Sequence, residues 1–507
     1  MPDTCRIGFA GTDARTLLSA LVVSTARSDR FENRFEGAVV RGTSAMPRFA
    51  GDMGWPVRFI PTQDNSPGAY AEGIRNALDR GELDYVLPMP EALLFGGLVD
   101  EMDKAGLGSR VAGLSSEASF IEADKAACKE FCRSAGVPVA DEWSVADARS
   151  YDEVLAVCLD YMHKHGGAVL KYPFSAGGKG ARVVLNAWEI RDVYDTLMGD
   201  YKQDYRKAFR SARWPLLIES RMSGAEISFT MLVDGEGHFQ LLPTSMDYPE
   251  RFEGPPGKEN PVTGGMGSIS PHPLESPELF RLVEEEIARP LIEAMRQRGI
   301  LRPCVLYPGC FVSFRVGGSG RLEPAAVRVC EINIRPGEPE FQPIARRLCN
   351  LGPLAEAMFK GNLHEVEPEV REDQISLCLA LVTGPGGPDG QRGYPWSVTK
   401  LEPVEVDGSY MQKKNIQVLP SGMGYSDERG FYSDGTRVAY LNVNGTVKPG
   451  QSRGEAAEKL RSRLLNAVDQ GKVRVVPREN PEGNRLAVRR DVGSHFRIAE
   501  ELRPSHA

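Results

Sequence analysis

Val169-Leu170-Lys171-Tyr172-Pro173-Phe174-Ser175-Ala176-Gly177-Gly178-Lys179-Gly180-Ala181-Arg182-Val183-Val184 reads as a strand, a glycine-rich loop and a second strand. One lysine closes the first strand and another sits inside the loop. Glycines, lacking Cβ, let backbone N–H groups come close to phosphate oxygens, and the ammonium groups of Lys171 and Lys179 supply compensating charge. The pattern suits a nucleoside triphosphate. It is not a P-loop, because G-x-x-x-x-G-K-[ST] places a hydroxyl after the lysine, whereas Gly180 and Ala181 follow Lys179. A plain β-hairpin with a loose turn shows the same pattern, so the neighbouring segments decide.

Downstream, Leu216-Leu217-Ile218-Glu219-Ser220-Arg221-Met222 is an apolar strand ending in an acid, and Glu226 starts the next strand. Carboxylates there can accept from an adenine amino group or a ribose hydroxyl. A solvated strand edge is the plainer alternative. Further on, strand alternation in Glu331-Ile332-Asn333-Ile334-Arg335 puts Glu331, Asn333 and Arg335 on one face. A carboxylate and an amide oxygen two residues apart suit Mg²⁺ bound to phosphates, and Arg335 can clamp a carboxylate or phosphate. Between these segments lies Asn260-Pro261-Val262-Thr263-Gly264-Gly265-Met266-Gly267-Ser268, a glycine-rich loop preceded by Asp247 and Arg251 whose N–H groups can surround an anion.

Upstream, strand-like Arg6–Ala10, Gly37–Val40, Val57–Ile60 and Tyr85–Pro88 alternate with helices from about Arg15, over Tyr70–Arg80 and over Glu91–Ala105. This predicts a parallel α/β sheet. Its first turn, Gly11-Thr12-Asp13, stands where backbone N–H groups commonly receive a phosphate, or is simply a tight turn with an N-cap at Thr12 or Asp13. A helix Lys125–Ala135 stops at Gly136-Val137-Pro138, Tyr201–Arg213 reads as a charged connection, and the chain ends in a β-rich lobe including Arg437–Val443.

In this order the segments resemble the ATP-grasp superfamily, and specifically its phosphoribosylamine–glycine ligase family. Pro90-Glu91-Ala92 is similar to that family's G-P-E-A turn, Asp124-Lys125-Ala126 with Lys129 to S-K-x-x-x-K, and Lys171 to Gly180 to K-A-D-G-x-A-A-G-K-G. Thr263 to Ser270 resembles N-T-G-G-M-G-x-x-S, Glu331 to Glu340 resembles E-F-N-x-R-F-G-D-P-E, and Arg489 to Gly493 resembles R-R-D-I-G. The resemblance implies a multi-lobed α/β fold: an N-terminal parallel α/β domain (1–118), an ATP-grasp domain (119–368, with a mobile lid about 139–213) and a β-rich C-terminal domain (369–507). It implies that Lys125, Lys171, Lys179 and Gly180 contact ATP phosphates, that Glu219 and Met222 line the adenine pocket, that Glu226 holds the ribose, and that Glu331 and Asn333 hold Mg²⁺ or Mn²⁺. Arg335, Lys171 and Asp247 are the implied catalytic residues. Gly11, Thr12, Asp13, Pro90, Glu91, Thr263, Gly264, Gly265, Met266, Gly267, Arg335, Gly337 and Glu338 are the implied substrate contacts.

The implied reaction uses ATP to phosphorylate glycine, and the amine of 5-phosphoribosylamine attacks the acyl phosphate. Departures cluster on the acceptor side. The family's G-G-R-E-H-A turn is here Gly11-Thr12-Asp13-Ala14-Arg15, Asp247-Tyr248-Pro249 replaces D-H-K, Val262 replaces an Asn, and Pro336 and Glu338 replace the Phe and Asp of F-G-D-P-E. A paralogous carboxylate–amine ligase with other substrates, or a non-catalytic ATP sensor, fits the same residues.

Composition sets the outer bounds. A chain of 507 residues, 41% hydrophobic and 26% charged, forms several packed lobes. With 61 Lys and Arg against 69 Asp and Glu, a net charge of -8 argues against duplex nucleic acid as the main partner. Nine cysteines, without a C-x-x-C pair, point to a reducing compartment, and no signal peptide or membrane span is read, so the expected location is cytoplasmic. A monomer and a homodimer are equally compatible with the sequence.

Overall fold

The computed structural model describes residues 4–496 except 29, 31–33, 43, 175–179, 209–213, 258, 319 and 387–390, so Lys179 lies outside the described residues. At the N-terminus, β1 (Cys5–Ala10), β2 (Phe35–Arg41), β3 (Arg58–Pro61) and β4 (Tyr85–Pro88) form a parallel sheet in the order β3-β2-β1-β4. Helices α1 (Ala14–Thr25), α2 (Met46–Asp52), α3 (Pro67–Asp79), α4 (Glu91–Phe95) and α5 (Leu98–Lys104) alternate with them. The single helix expected over Glu91–Ala105 is therefore two. Gly97 takes a left-handed φ of 80°, and a Cβ on Gly96 would lie 2.3 Å from Pro67 Cγ, so the chain turns where only glycine fits.

Strand order reverses between β1 and β4, which opens a crevice beyond their carboxyl ends. The Gly11–Asp13 turn sits there. Asp13 caps α1, its carboxylate accepting from Thr16 N at 2.9 Å and Thr16 Oγ1 at 2.7 Å.

Next come α6 (Phe120–Ala123), α7 (Lys125–Ser134), β5 (Trp143–Asp147), α8 (Tyr151–His165), β6 (Ala168–Lys171), β7 (Ala181–Val184), α9 (Ile190–Ala208) and β8 (Pro215–Ser220). Antiparallel β5-β8-β6-β7 has its own core, built from Ala146, Val154, Cys158, Leu170, Leu197 and Ile218. Residues 201–208, expected as a connection, instead complete α9. They hold no proline or glycine, and their lysine, arginine, glutamine and alanine favour helix.

Then follow β9 (Ala225–Ser228), β10 (Met231–Val233), β11 (Phe239–Leu241), β12 (Met246–Asp247), β13 (Gly267–Ser270) and the long hairpin of β14 (Cys304–Val316) with β15 (Leu322–Asn333). β11-β10-β14-β15, with β9 also on β14, makes one sheet over a core that includes Phe229, Leu306, Val312, Val327 and Ile332. By contrast, β12 and β13 join β16 (Gln374–Thr383). The C-terminal part adds β17 (Val404–Val406), β18 (Gln417–Pro420), β19 (Met423–Ser426), β20 (Gly430–Ser433), β21 (Arg437–Thr446), β22 (Val473–Val475) and β23 (Leu486–Ala487). Its main sheet runs β12-β13-β16-β21-β18, with β23 on β16. The expected β-rich lobe also carries a helix, Arg453–Asp469, which buries Ala457, Leu460 and Leu464 in that lobe's core. Among the described residues no helix is long and apolar enough to cross a membrane.

Candidate active site

Three lysines and two acids meet where α7, β6, β8 and β15 converge. Lys125, the first residue of α7, places Nζ 2.7 Å from Glu331 Oε2. One turn on, Lys129 stands 2.9 Å from Glu219 Oε1 and donates to the Val329 carbonyl at 2.9 Å. Lys171, at the end of β6, reaches Glu219 Oε2 at 2.5 Å and Cys330 Sγ at 3.3 Å.

Glu219 has no exposed surface. Burial alone would raise its carboxyl, yet Lys129 and Lys171 outweigh that and hold it below the ordinary range. Glu331 is drawn down to about 2, first by Lys125. Three ammonium groups against two carboxylates leave a positive surplus for phosphates. A β-bulge makes this arrangement possible: Val329 pairs with Cys310 and Glu331 with Gly309, so Cys330 is an extra residue. Strict alternation would send Cys330 away from Lys171.

Around this cluster, Gly180 closes the β6–β7 loop and its carbonyl accepts from Tyr172 N at 2.8 Å. Met222 follows β8, half-buried, and Glu226 on β9 is open to solvent at its tip. The surrounding protein mass, then Glu331 and Glu250, push the Glu226 carboxyl up to about 7.

The second half of the site lies at the crevice of the N-terminal sheet. Arg15 is buried, with Nη2 3.1 Å from Asp13 Oδ2 and Nε 3.3 Å from Glu338 Oε2, and it also donates to the Pro336 carbonyl. Burial and Asp13 lift the Glu338 carboxyl to about 7, although Arg15 and Arg437 pull the other way. Arg335 Nε stands 2.9 Å from Glu91 Oε2 and 3.5 Å from Glu122 Oε1, while Glu122 Oε2 accepts from Ile334 N at 2.8 Å. Pro90 and Gly11 touch so closely that a Cβ on Gly11 would lie 2.9 Å from Pro90 Cδ and 2.7 Å from Thr16 Oγ1. Thr12 is half-buried in the same turn.

The loop joining β12 to β13 closes this half. Thr263 donates to the Pro249 carbonyl through N at 2.7 Å and Oγ1 at 2.8 Å, and Met266 N donates to Tyr248 O at 2.8 Å. Gly265 holds φ at 94°, and a Cβ there would lie 2.3 Å from Pro339 Cδ. A Cβ on Gly337 would meet the Tyr307 ring at 2.7 Å and Glu340 Oε2 at 2.9 Å. Asp247 is pushed well above the carboxylate range, by burial first and then by Glu340. At the rim, Arg489 grips Asp491 at 2.6 Å and Glu250 at 2.9 Å.

The structure thus gathers Lys125, Lys171, Glu219 and Glu331 on one side, with Asn333 next along the strand. Gly11, Asp13, Glu91, Asp247, Thr263–Gly267, Arg335, Gly337 and Glu338 gather on the other. Lys179 lies outside the described residues. Glu219 stands beneath the cluster as its buried counter-ion. Sequence reasoning gave no role to Lys129, Arg15, Glu122, Tyr307, Glu340 or Arg437. Lys129 carried a signal, since four residues after Lys125 it shares that helix face. Arg437 carried none, because only the pairing of β21 with β16 brings it near.

Glu331 and Asn333 fit a divalent cation: a carboxylate ionised at neutral pH and an amide oxygen are hard donors. Among the described residues no three His, Cys, Asp or Glu side chains form a metal-holding group. A cation there must complete its shell with phosphate oxygens and water, as Mg²⁺ commonly does.

Residues 123–341 match the family model described as phosphoribosylglycinamide synthetase, ATP-grasp (A) domain. The chain is 31% identical over 342 residues to phosphoribosylamine–glycine ligase of Rhodopirellula baltica, covering 66% of this chain and 73% of that one. Against the ligase of Xanthomonas campestris pv. campestris it is 33% identical over 358 residues, covering 70% and 74%. In fold it is similar to the crystal structure of phosphoribosylamine–glycine ligase from Thermotoga maritima, with a TM-score of 0.64 at 21% identity over 96% of this chain and 100% of that one.

Proposed function

The chain belongs to the phosphoribosylamine–glycine ligase family, and on that premise we propose how its own residues carry the reaction. It is an ATP-dependent ligase of ATP-grasp fold that joins glycine to 5-phosphoribosylamine through a glycyl phosphate, giving glycinamide ribonucleotide, ADP and phosphate. The observation that carries the residue assignment is the convergence of Lys125, Lys129 and Lys171 on Glu219 and Glu331.

Lys125 and Lys171 hold the ATP phosphates, and Lys179 and Gly180 share that role. Glu219, unable to reach solvent, fixes the direction of Lys129 and Lys171. Met222 lines the adenine side and Glu226 holds the ribose. Glu331 and Asn333 hold Mg²⁺, which when bound neutralises phosphate charge so that a carboxylate can approach the γ-phosphorus. Arg335, braced by Glu91 and Glu122, orients the glycine carboxylate. Asp247, whose raised affinity for protons suits a base, takes the proton the attacking amine sheds. The Gly11–Asp13 turn, Pro90, Glu91, Thr263–Gly267, Gly337 and Glu338 enclose the acceptor. The lobe of β5–β8 is the lid that keeps water from the acyl phosphate. Nine free cysteines support a reducing, cytoplasmic setting.

ADP release with ATP and Mg²⁺ tests the reading, using glycine and phosphoribosylamine formed in place from ribose 5-phosphate and ammonia. Release requiring both co-substrates is expected. Release with another amino acid or amine in place of either one overturns the substrate assignment.

A further inference from the structure

Arg437 starts β21 in the C-terminal sheet, yet its guanidinium lies against the glycine-rich loop. Nη1 donates to the carbonyl of Gly264, and to that of Gly265 at 3.4 Å. A Cβ on Gly264 would lie 3.1 Å from Arg437 Nη2 and 3.2 Å from Nη1, so the loop backbone is in contact with the fork itself. Behind it, Arg437 Cζ stands 5.8 Å from the Tyr440 ring centroid. Glu338 and Glu340 are acids whose charge favours the charged guanidinium. Glu338 in turn is 3.3 Å from Arg15, which is 3.1 Å from Asp13 in the N-terminal turn.

We propose that Arg437 is a positioning residue for the acceptor pocket: it fixes the direction of the Thr263–Gly267 loop through two carbonyls, and that loop lies against Pro339, next to Glu338, whose partner Arg15 reaches the Gly11–Asp13 turn. The proposal rests on the ligase reading. A guanidinium suits the task, because it stays charged and its Nη1 alone donates to both adjacent carbonyls. Without it, the two carbonyls lose that donor, and the Glu338 carboxyl loses one of the two arginines that pull it down. The loop then turns and the two walls of the pocket separate. The nucleotide cluster at Lys125, Lys171 and Glu219 shares no contact with Arg437, so the two halves of the site respond differently.

The test is steady-state kinetics of the full chain, with thermal unfolding alongside, for Arg437→Met and Arg437→Lys. Arg437→Met is expected to raise KM for phosphoribosylamine about tenfold or more while KM for ATP stays within about twofold. Arg437→Lys, whose ammonium still reaches one carbonyl and balances Glu338, is expected to recover about a third or more of that loss on a logarithmic scale. Unchanged KM values in Arg437→Met, a parallel rise in KM for ATP, or Arg437→Lys no better than Arg437→Met overturn the proposal. Should Arg437→Met fail to fold, Arg437→Lys decides alone: a rise confined to KM for phosphoribosylamine supports it, and a parallel rise or none overturns it. A parent protein whose ADP release ignores phosphoribosylamine overturns the ligase reading and this proposal with it, whereas an active parent with indifferent variants overturns this proposal alone.

Discussion

Replacing Glu219 with glutamine tests the electrostatic design of the nucleotide side most directly. The carboxylate has no exposed surface and stands 2.9 Å from Lys129 and 2.5 Å from Lys171. Glutamine keeps the shape and one acceptor oxygen but turns an amide NH₂ toward an ammonium group. Removing one partner of a buried ion pair costs about 3–5 kcal/mol, because the remaining charge is left without compensation. Lys129 retains the Val329 carbonyl, which puts the expected loss near the lower end, about 3 kcal/mol. For lobes of this size each kcal/mol moves Tm by about 2–4 °C, so the unfolding transition should fall by about 6–12 °C.

Several lobes need not unfold together, so amide hydrogen exchange in β8 and α7 should accompany the melting curve. The pH dependence follows from the direction of the shift. A carboxyl held below its ordinary value contributes stability that is complete above that ordinary value, about 4.3, and is lost as pH falls through the lower native value. The gap between parent and Glu219→Gln should therefore hold from pH 8 to pH 5 and close only in stronger acid. A transition within about 2 °C of the parent at neutral pH, or a gap that closes between pH 8 and 6, would refute the buried counter-ion.

Two further substitutions probe the catalytic and structural sides. Glu331→Gln should lower kcat by about a hundredfold or more, with no rescue at high Mg²⁺, and should lower Tm less than Glu219→Gln because 28% of the Glu331 side chain is exposed. ADP release titrated with Mg²⁺ checks it, and near-parental turnover refutes it. Gly265→Ala meets both a φ of 94° and Pro339 Cδ at 2.3 Å, so it should cost about 1–3 kcal/mol and raise KM for the acceptor. Gly254→Ala has a comparable φ of 102° and nothing within 4 Å, so its smaller loss in Tm isolates the backbone contribution.

The sequence showed the alternation of strands and helices over the first hundred residues, because each strand there is a short apolar run bounded by turn residues. It also showed Lys125, Lys171 and Glu331, whose positions follow from a helix start, a strand end and strand alternation, but Arg335, expected on the same strand face as Glu331 and Asn333, lies beyond the end of β15 and pairs with Glu91 and Glu122. What it hid depends on distant pairing. The bulge that turns Cys330 toward Lys171 exists only in the register of β15 against β14. Glu219 reads as an acid at a strand edge, yet β8 is an inner strand flanked by β5 and β6, and the two lysines come from elsewhere. Arg437 lies 173 residues from Gly264 and meets it only because β13, β16 and β21 are neighbours. Charge density misled over residues 201–208, which belong to α9.

The acids of the two halves differ in a way that burial does not explain. Burial pushes Glu219, Asp247 and Glu338 in the same direction, and it is the first cause for each. Glu219 nevertheless ends below its ordinary value, while the other two end above theirs. Neighbouring charge decides: Glu219 faces Lys129 and Lys171, whereas Asp247 faces Glu340. Even Glu338, with Arg15 and Arg437 beside it, ends near 7 because Asp13 shares Arg15. Lys125, Lys129 and Lys171 therefore outnumber the two carboxylates they meet, Glu219 and Glu331, which suits phosphate oxygens. The other half holds acids in excess of its cations, and a cationic or proton-donating substrate group lowers the free energy of that arrangement when it binds.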